Sequence, residues 1–275
     1  MKWSVKRITV WWKTIRGSLF TTSVAPVLLG TAIAVSEAVP INWAHFLLSL
    51  GIACSCQAGS NLINDYYDHL SSNDDINQHR SPFNGGSGSI QEGMVSPIQV
   101  KEAAVISYGV CLFLGAVLFI PHDTRGLLLV LAGVCSGISY SKYPALSYIG
   151  LGELVVGLNF GPLIVCSAYF AQTGRITAES IIISIPVGLL VAAVLYINQF
   201  PDFEADKAVN KKNIVVRLGL RRALPYYYFL LATAYLIIVV GVRIGLIPTE
   251  ALVALVTLPL AVAASFIAAK WYDNP

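Results

Sequence analysis

The chain has 275 residues, of which 56% are hydrophobic and only 12% are charged. A soluble domain of this size carries about a quarter charged residues, so composition excludes an ordinary soluble enzyme and points to an integral membrane protein. The net charge of +3 is modest, its distribution says more than its total, and no nucleic-acid partner is expected. No polar stretch is long enough for a separate module, so residues 1–275 read as one intramembrane domain.

Residues 1–16 place Lys2, Lys6, Arg7, Lys13 and Arg16 among Trp3, Trp11 and Trp12. This is a basic amphipathic lead-in suited to a membrane interface. No small-residue cleavage site closes the apolar run after it, which argues against a signal peptide. Apolar runs of the required length, about 17–25 residues, follow at 18–38, 42–63, 100–120, 125–141, 150–171, 180–200, 226–244 and 250–269. Eight transmembrane helices are therefore predicted, the fourth being short. Internal Pro26, Gly115, Gly133, Gly137, Gly157, Pro162 and Pro186 permit kinks and close helix contacts. Cys54, Cys56, Cys111, Cys135 and Cys166 all lie in apolar runs and read as small buried hydrophobes.

With the N-terminus in the cytoplasm, alternating helices put 15 of the 18 basic residues inside and only Arg125, Arg175 and Arg243 outside. The positive-inside rule supports that orientation. Two acidic stretches then reach the cytoplasmic face at the ends of the second and sixth helices, which run in the same direction. The first is Asn61-Leu62-Ile63-Asn64-Asp65-Tyr66-Tyr67-Asp68, with Asp74 and Asp75 beyond; the second is Asn198-Gln199-Phe200-Pro201-Asp202-Phe203-Glu204-Ala205-Asp206. Asn64 and Asp68 are four apart, as are Asp202 and Asp206, a spacing that puts each pair on one helix face. Eight of the 15 acidic residues, Glu92 included, lie in these two stretches and the loops that follow them. The segment Asn84-Gly85-Gly86-Ser87-Gly88-Ser89 is expected to be a mobile loop over the mouth.

Carboxylates concentrated in this way repel one another unless cations intervene. Hard oxygen ligands suit Mg²⁺, which uses one or two carboxylates and completes its shell with water and phosphate oxygens. Arg16, Arg80, Lys142, Lys211, Lys212 and Arg217 share the face. Carboxylate, metal and diphosphate above an apolar bundle imply a prenyl diphosphate such as geranylgeranyl diphosphate. The four histidines, His45, His69, His79 and His122, are scattered and carry no assigned role; Tyr66, Tyr67, Tyr140, Tyr143 and Tyr148 fit an interfacial belt.

Asn64-Asp65-Tyr66-Tyr67-Asp68 with Asp74 resembles the first motif of the UbiA superfamily of intramembrane prenyltransferases. Asp202-Phe203-Glu204-Ala205-Asp206-Lys207, with Lys211-Lys212 and Val216-Arg217-Leu218-Gly219, resembles the second. Ala25-Pro26-Val27-Leu28-Leu29-Gly30, Leu151-Gly152-Glu153, and Phe160-Gly161-Pro162 with Gln172-Thr173-Gly174 are similar to the menaquinone branch. The resemblance implies an all-α membrane helix bundle around a central cavity, Mg²⁺ dependence, and prenyl transfer to an aromatic acceptor in quinone synthesis, 1,4-dihydroxy-2-naphthoate in that branch. It carries the metal and diphosphate roles to Asn64, Asp68, Asp202 and Asp206, supported by Asp65 and Asn198. Arg16, Arg80, Tyr140 and Lys142 are implied diphosphate contacts, and Asp68, Asp202, Tyr140 and Lys142 form the expected catalytic set. Lys211 and Lys212 are expected to bind substrate. Ser72 departs from the family pattern, leaving Asp74 or Asp75 to take its place. The family commonly has nine helices, which leaves a ninth missing from this chain. A non-aromatic lipid acceptor such as geranylgeranylglyceryl phosphate is the alternative within enzymes. A cation transporter with acidic gates is the alternative outside them, disfavoured because mid-helix regions carry almost no charge.

Overall fold

The computed structural model describes residues 2–81 and 84–273, and these are helical with no strand among them. The lead-in forms α1 (Lys2–Thr14), and a 3-10 turn over Gly17–Phe20 runs into α2 (Thr21–Ser36). α3 (Trp43–Leu70) starts where the Asn42 side chain accepts the Ala44 and His45 N–H groups. A single turn, α4 (Asn73–Ile76), follows it. α5 (Pro97–Phe119) opens on a reciprocal Ser96–Gln99 capping box with proline in its first turn, the arrangement that satisfies orphan N–H donors best. α6 (Arg125–Ser141) returns. α7 (Gly152–Leu158), a π-helical turn at Asn159–Leu163 and α8 (Ile164–Thr173) make one continuous span with Pro162 inside the π turn. α9 (Ala178–Asn198) again opens on a capping box, Thr177 with Ser180. The short α10 (Phe203–Ala208) and α11 (Ile214–Leu218) lead to α12 (Leu220–Arg243), and a 3-10 stretch at Thr249–Thr257 continues into α13 (Leu258–Trp271).

Seven of the described helical segments are long and apolar enough to cross a membrane. The expected fourth crossing, α6, has 17 residues, or about 26 Å of helix against a hydrocarbon core of about 30 Å. Two helices overrun their apolar stretches. α3 continues to Leu70 and α12 begins at Leu220, because the polar ends of these helices face the protein interior or the aqueous boundary instead of lipid.

α3 packs along α5 and α6, α2 against α8, and α9 against both α7 and α12. Glycine sets the closest approaches. A Cβ on Gly188 of α9 would lie 2.4 Å from the Gly157 carbonyl oxygen, and one on Gly30 would lie 2.3 Å from that of Val165. Small residues that let backbones meet are the usual basis of helix association in lipid. In α13 only Ala268 is buried, while Leu260 and Phe266 are over 70% exposed; this last helix offers its apolar surface to the bilayer. The cysteine expectation needs correcting: Cys111 and Cys166 are buried, but Cys54 and Cys56 are only half-buried and Cys135, on α6, is exposed. Two histidines expected to be scattered meet, His45 Nε2 lying 3.1 Å from His122 Nε2.

The Gly157–Gly188 contact fixes α7 against the helix that carries the second acidic motif. Gly188→Val should cost about 1–3 kcal/mol through overpacking. It should appear as a lower thermal midpoint of the detergent-solubilised protein, together with reduced activity.

Candidate active site

The first motif occupies the last two turns of α3, where the helix places Asn64 and Asp68 side by side: Asn64 Nδ2 donates to Asp68 Oδ2 at 2.9 Å. Asp65, one residue round the helix, receives Arg16 instead. Arg16 sits between α1 and α2 with φ 54°, ψ 49°, a left-handed conformation that a non-glycine residue holds only when its surroundings dictate it. Asn61 Nδ2 donates to the neighbouring Ile15 carbonyl at 3.0 Å, and the Arg16 guanidinium donates to Asn64 Oδ1 at 3.1 Å as well as to Asp65. Burial alone would lower the Arg16 pKa; the Asp65, Asp74 and Asp68 carboxylates outweigh it and hold it above its ordinary value.

The second motif turns off the end of α9. Asp202 precedes α10 and Asp206 follows one turn later, its N–H donating to the Asp202 carbonyl at 2.8 Å. Side-chain amides from elsewhere hold both carboxylates. Asn77 and Asn84 donate to Asp202 Oδ1 at 2.7 and 2.9 Å; Asn73 and Asn213 donate to Asp206 at 2.9 and 2.6 Å. Lys211 joins the two motifs directly, its Nζ lying 3.3 Å from Asp68 Oδ2 and 3.5 Å from Asp206 Oδ1. Burial opposes the Lys211 charge, but Asp68 and Asp206 hold its pKa well above the ordinary lysine value. Tyr148 completes this wall with its hydroxyl 3.3 Å from Asp68 Oδ1 and its ring beneath Lys211.

The glycine-rich segment is not the loose lid its composition suggests. Asn84, Ser87 and Ser89 are buried, and backbone N–H groups of Gly85 and Ser87 donate to Asp202 and Asp65 respectively. Gly85, Gly86 and Gly88 all have positive φ, and a Cβ on Gly86 would stand 2.1 Å from Asp74 Oδ2. Glycine serves here for close backbone approach to carboxylates, not for mobility. Arg80 straps the segment by donating to the Gly85 and Asp74 carbonyls. α1 holds its far end through the Lys13–Glu92 ion pair at 2.6 Å and Thr14–Ser89 at 2.9 Å.

Both motifs open into one cavity. Arg16, Asn64, Asp68, Asp74, Tyr140, Asn198, Asp202, Asp206 and Lys211 line its mouth. Val27, Phe119, Val130, Leu163 and Ala168 line its apolar depth. Ser49 lines the cavity too, and along α3 it lies about 28 Å from Asp68 at 1.5 Å per residue. Four sequence-predicted site residues lie off this wall. Asp65 is buried against Arg16, Arg80 holds backbone carbonyls, and Lys142 and Lys212 are exposed. Of the two candidates to replace the aspartate absent at Ser72, Asp74 is buried on the cavity wall, whereas Asp75 is exposed beside His69 and Gln91. Sequence reasoning missed the amides Asn73, Asn77, Asn84 and Asn213 and the role of Tyr148. The signal available was the run of asparagines following each acidic motif.

The sequence profile of the UbiA prenyltransferase family matches residues 23–275. The chain is 31% identical to the 1,4-dihydroxy-2-naphthoate octaprenyltransferase of Bacillus subtilis, over 83% of this chain and 72% of that one. It is 27% identical to the 2-carboxy-1,4-naphthoquinone phytyltransferase of Synechocystis, over 97% and 84%. Among solved structures, a UbiA homologue from Archaeoglobus fulgidus bound to DMAPP and Mg²⁺ superposes with a TM-score of 0.72 at 19% identity, covering 96% of this chain and 88% of that one. A transporter is thereby set aside: the chain belongs to the UbiA prenyltransferase family and is a membrane prenyltransferase.

Proposed function

We propose that this protein transfers a prenyl chain from a prenyl diphosphate to an aromatic acceptor in quinone synthesis, the acceptor being a hydroxylated naphthoate. One observation carries this reading. Carboxylates from two separate helices meet at the polar mouth of a cavity whose depth is apolar and about as long as the bilayer is thick. The naphthoate prenyltransferases among its relatives support the choice of acceptor. Asp68, Asp202 and Tyr140 are proposed as catalytic residues, with Lys211 binding substrate; the exposed Lys142 and Lys212 lie off the cavity wall and keep no such role. We place the N-terminus and the mouth on the cytoplasmic side of the cell membrane, on the distribution of basic residues.

The donor set fits Mg²⁺. Among the described residues no three His, Cys, Asp or Glu side chains form a metal cage, but Mg²⁺ needs only one or two carboxylates when phosphate oxygens and water finish its shell. Asn64, Asp68, Asp202 and Asp206 would hold it, with Asp65 behind them, and the buried Asn73 Oδ1 is an acceptor without a partner on the same wall. Among the described residues, the ion pairs of the five aspartates Asp65, Asp68, Asp74, Asp202 and Asp206 are made by Arg16 and Lys211 alone. Burial first, then Asp68 and Asp65, push the Asp74 carboxyl up to about 8; burial also raises Asp206, against Lys211. When bound, Mg²⁺ would draw negative charge onto the departing diphosphate.

The protein's own groups do the rest. Arg16 and Lys211 place fixed positive charge where diphosphate charge accumulates. As the C1–O bond of the donor breaks, the diphosphate leaves with the electron pair and a ring carbon of the acceptor bonds to C1. The ring regains aromaticity by losing a proton, or its carboxylate as carbon dioxide, from that carbon. The apolar cavity excludes the water that would otherwise capture the allylic cation, and the Tyr140 ring on the cavity wall offers it a π face.

With labelled geranylgeranyl diphosphate and 1,4-dihydroxy-2-naphthoate, the purified protein should form a prenylated naphthoquinol. Asp68→Ala and Asp202→Ala should each lower turnover by at least about a hundredfold with unchanged elution on size exclusion. Near-normal turnover in either variant at saturating Mg²⁺, or transfer to geranylgeranylglyceryl phosphate in place of the naphthoate, would refute the reading. A second outcome concerns pH. Asp74 binds its proton more tightly folded than unfolded, so its contribution to stability falls as pH rises towards 8. The thermal midpoint of the metal-free protein should drop between about pH 6 and pH 8.5, and Asp74→Asn should flatten that slope. Mg²⁺ with pyrophosphate should stabilise the wild type more at the upper pH.

A further inference from the structure

Glu153 stands in the first turn of α7, only 3% exposed, and neither of its carboxyl oxygens has a hydrogen-bond partner. A buried polar group left unpaired costs about 1–3 kcal/mol, so its presence calls for an explanation. A second orphan lies beside it. Gln199, 7% exposed, has a buried Oε1 with no donor, and its amide adjoins the Glu153 carboxyl without a well-formed bond between them. Helix periodicity explains the meeting. Gly157 faces Gly188 and Ala192 of α9; one turn back from Gly157 is Glu153, and one and two turns on from Ala192 are Tyr196 and Gln199. Gln199 lines the cavity, three residues before Asp202, whereas Glu153 lies behind it.

The Gln199 amide thus turns its N–H towards the Glu153 carboxyl, and its buried Oε1 is left without a donor. We propose that Gln199 recognises the acceptor, presenting its Oε1 to a ring hydroxyl of the aromatic substrate, and that Glu153 is its positioning residue. The Glu153 carboxyl accepts from Gln199 Nε2 and so commits that side of the amide. Oε1 is left for the cavity that Gln199 lines. This rests on the aromatic-acceptor reading above and adds the group that selects for an oxygenated ring.

Steady-state kinetics on the purified full chain test it, varying 1,4-dihydroxy-2-naphthoate at saturating geranylgeranyl diphosphate and then the reverse. Gln199→Leu and Glu153→Leu should each raise KM for the naphthoate about ten- to a hundredfold, the worth of one hydrogen bond to a charged or polar partner. KM for geranylgeranyl diphosphate should stay within about threefold. Glu153→Gln, whose amide oxygen can still accept from Gln199 Nε2, should restore the naphthoate KM. A Glu153→Gln variant that instead loses kcat about a hundredfold at unchanged KM would make Glu153 the proton acceptor of the reaction and overturn the proposal. So would Gln199→Leu with an unchanged naphthoate KM, even if Glu153→Leu fails to fold. Absence of wild-type transfer to any aromatic acceptor would overturn the functional reading itself, and this inference with it.

Discussion

Mutual repulsion among four buried aspartates and the half-buried Asp202 governs the mouth of the cavity and dictates what surrounds it. Each carboxylate taken from water must find donors or cations. Arg16 answers Asp65, Lys211 answers Asp68 and Asp206, and asparagine side chains answer Asp202 and Asp206. These partners come from the N-terminal lead-in, the connection after α3 and the connection after α10. The long polar connections are therefore the means by which two acidic helix ends coexist. The lead-in has the same purpose: its left-handed turn at Arg16 aims one guanidinium at the first motif.

That compensation is incomplete, and the incompleteness is chemically useful. Burial, with only two ion-paired cations set against five carboxylates, leaves Asp74 and Asp206 with raised pKa values. The wall carries uncompensated negative charge, yet no closed cage forms among the described residues. Such a surface favours metal that arrives with phosphate oxygens over metal alone. Substrate binding and charge neutralisation become one event, at the boundary where the apolar cavity begins.

The sequence displayed the architecture well where a single periodicity decided it. Spans of about 17–25 apolar residues located every long helix, and the i,i+4 spacing of Asn64 with Asp68 survives as an actual hydrogen bond. It failed where composition and function diverge. The apolar run that marks the second span ends at residue 63, yet the polar residues 64–70 are the last turns of α3. Residues 84–89 look mobile because they are glycine-rich, yet they are buried against both motifs. Lys142 and Lys211 are both lysines after acidic or aromatic motifs, and only the packing of the connection after α10 brings Lys211 inward while Lys142 stays exposed. Glu153 was visible as part of Leu151-Gly152-Glu153, but its burial against the Gln199 amide is a property of the α7–α9 contact and cannot be read along the chain.

The cavity also has two sides with different demands. The acidic side is crowded with charge and held by α3, α4 and α10. The opposite wall, built by α7 and α9, meets across glycines so close that no side chain intervenes between Gly157 and Gly188. That closeness positions Gln199 and Asp202 on one turn leaving α9, within a few residues of each other along the chain. An acceptor ring stacked against this wall and a donor held by the acidic mouth would meet where the turn joins them. The reacting carbons then lie at the top of the apolar cavity, with the tail below in an environment matching its own polarity. A long prenyl chain can be held in place while only its charged end is exposed to the polar mouth. The extended reach of α3, from Ser49 in the depth to Asp68 at the mouth, is the single element that spans both requirements.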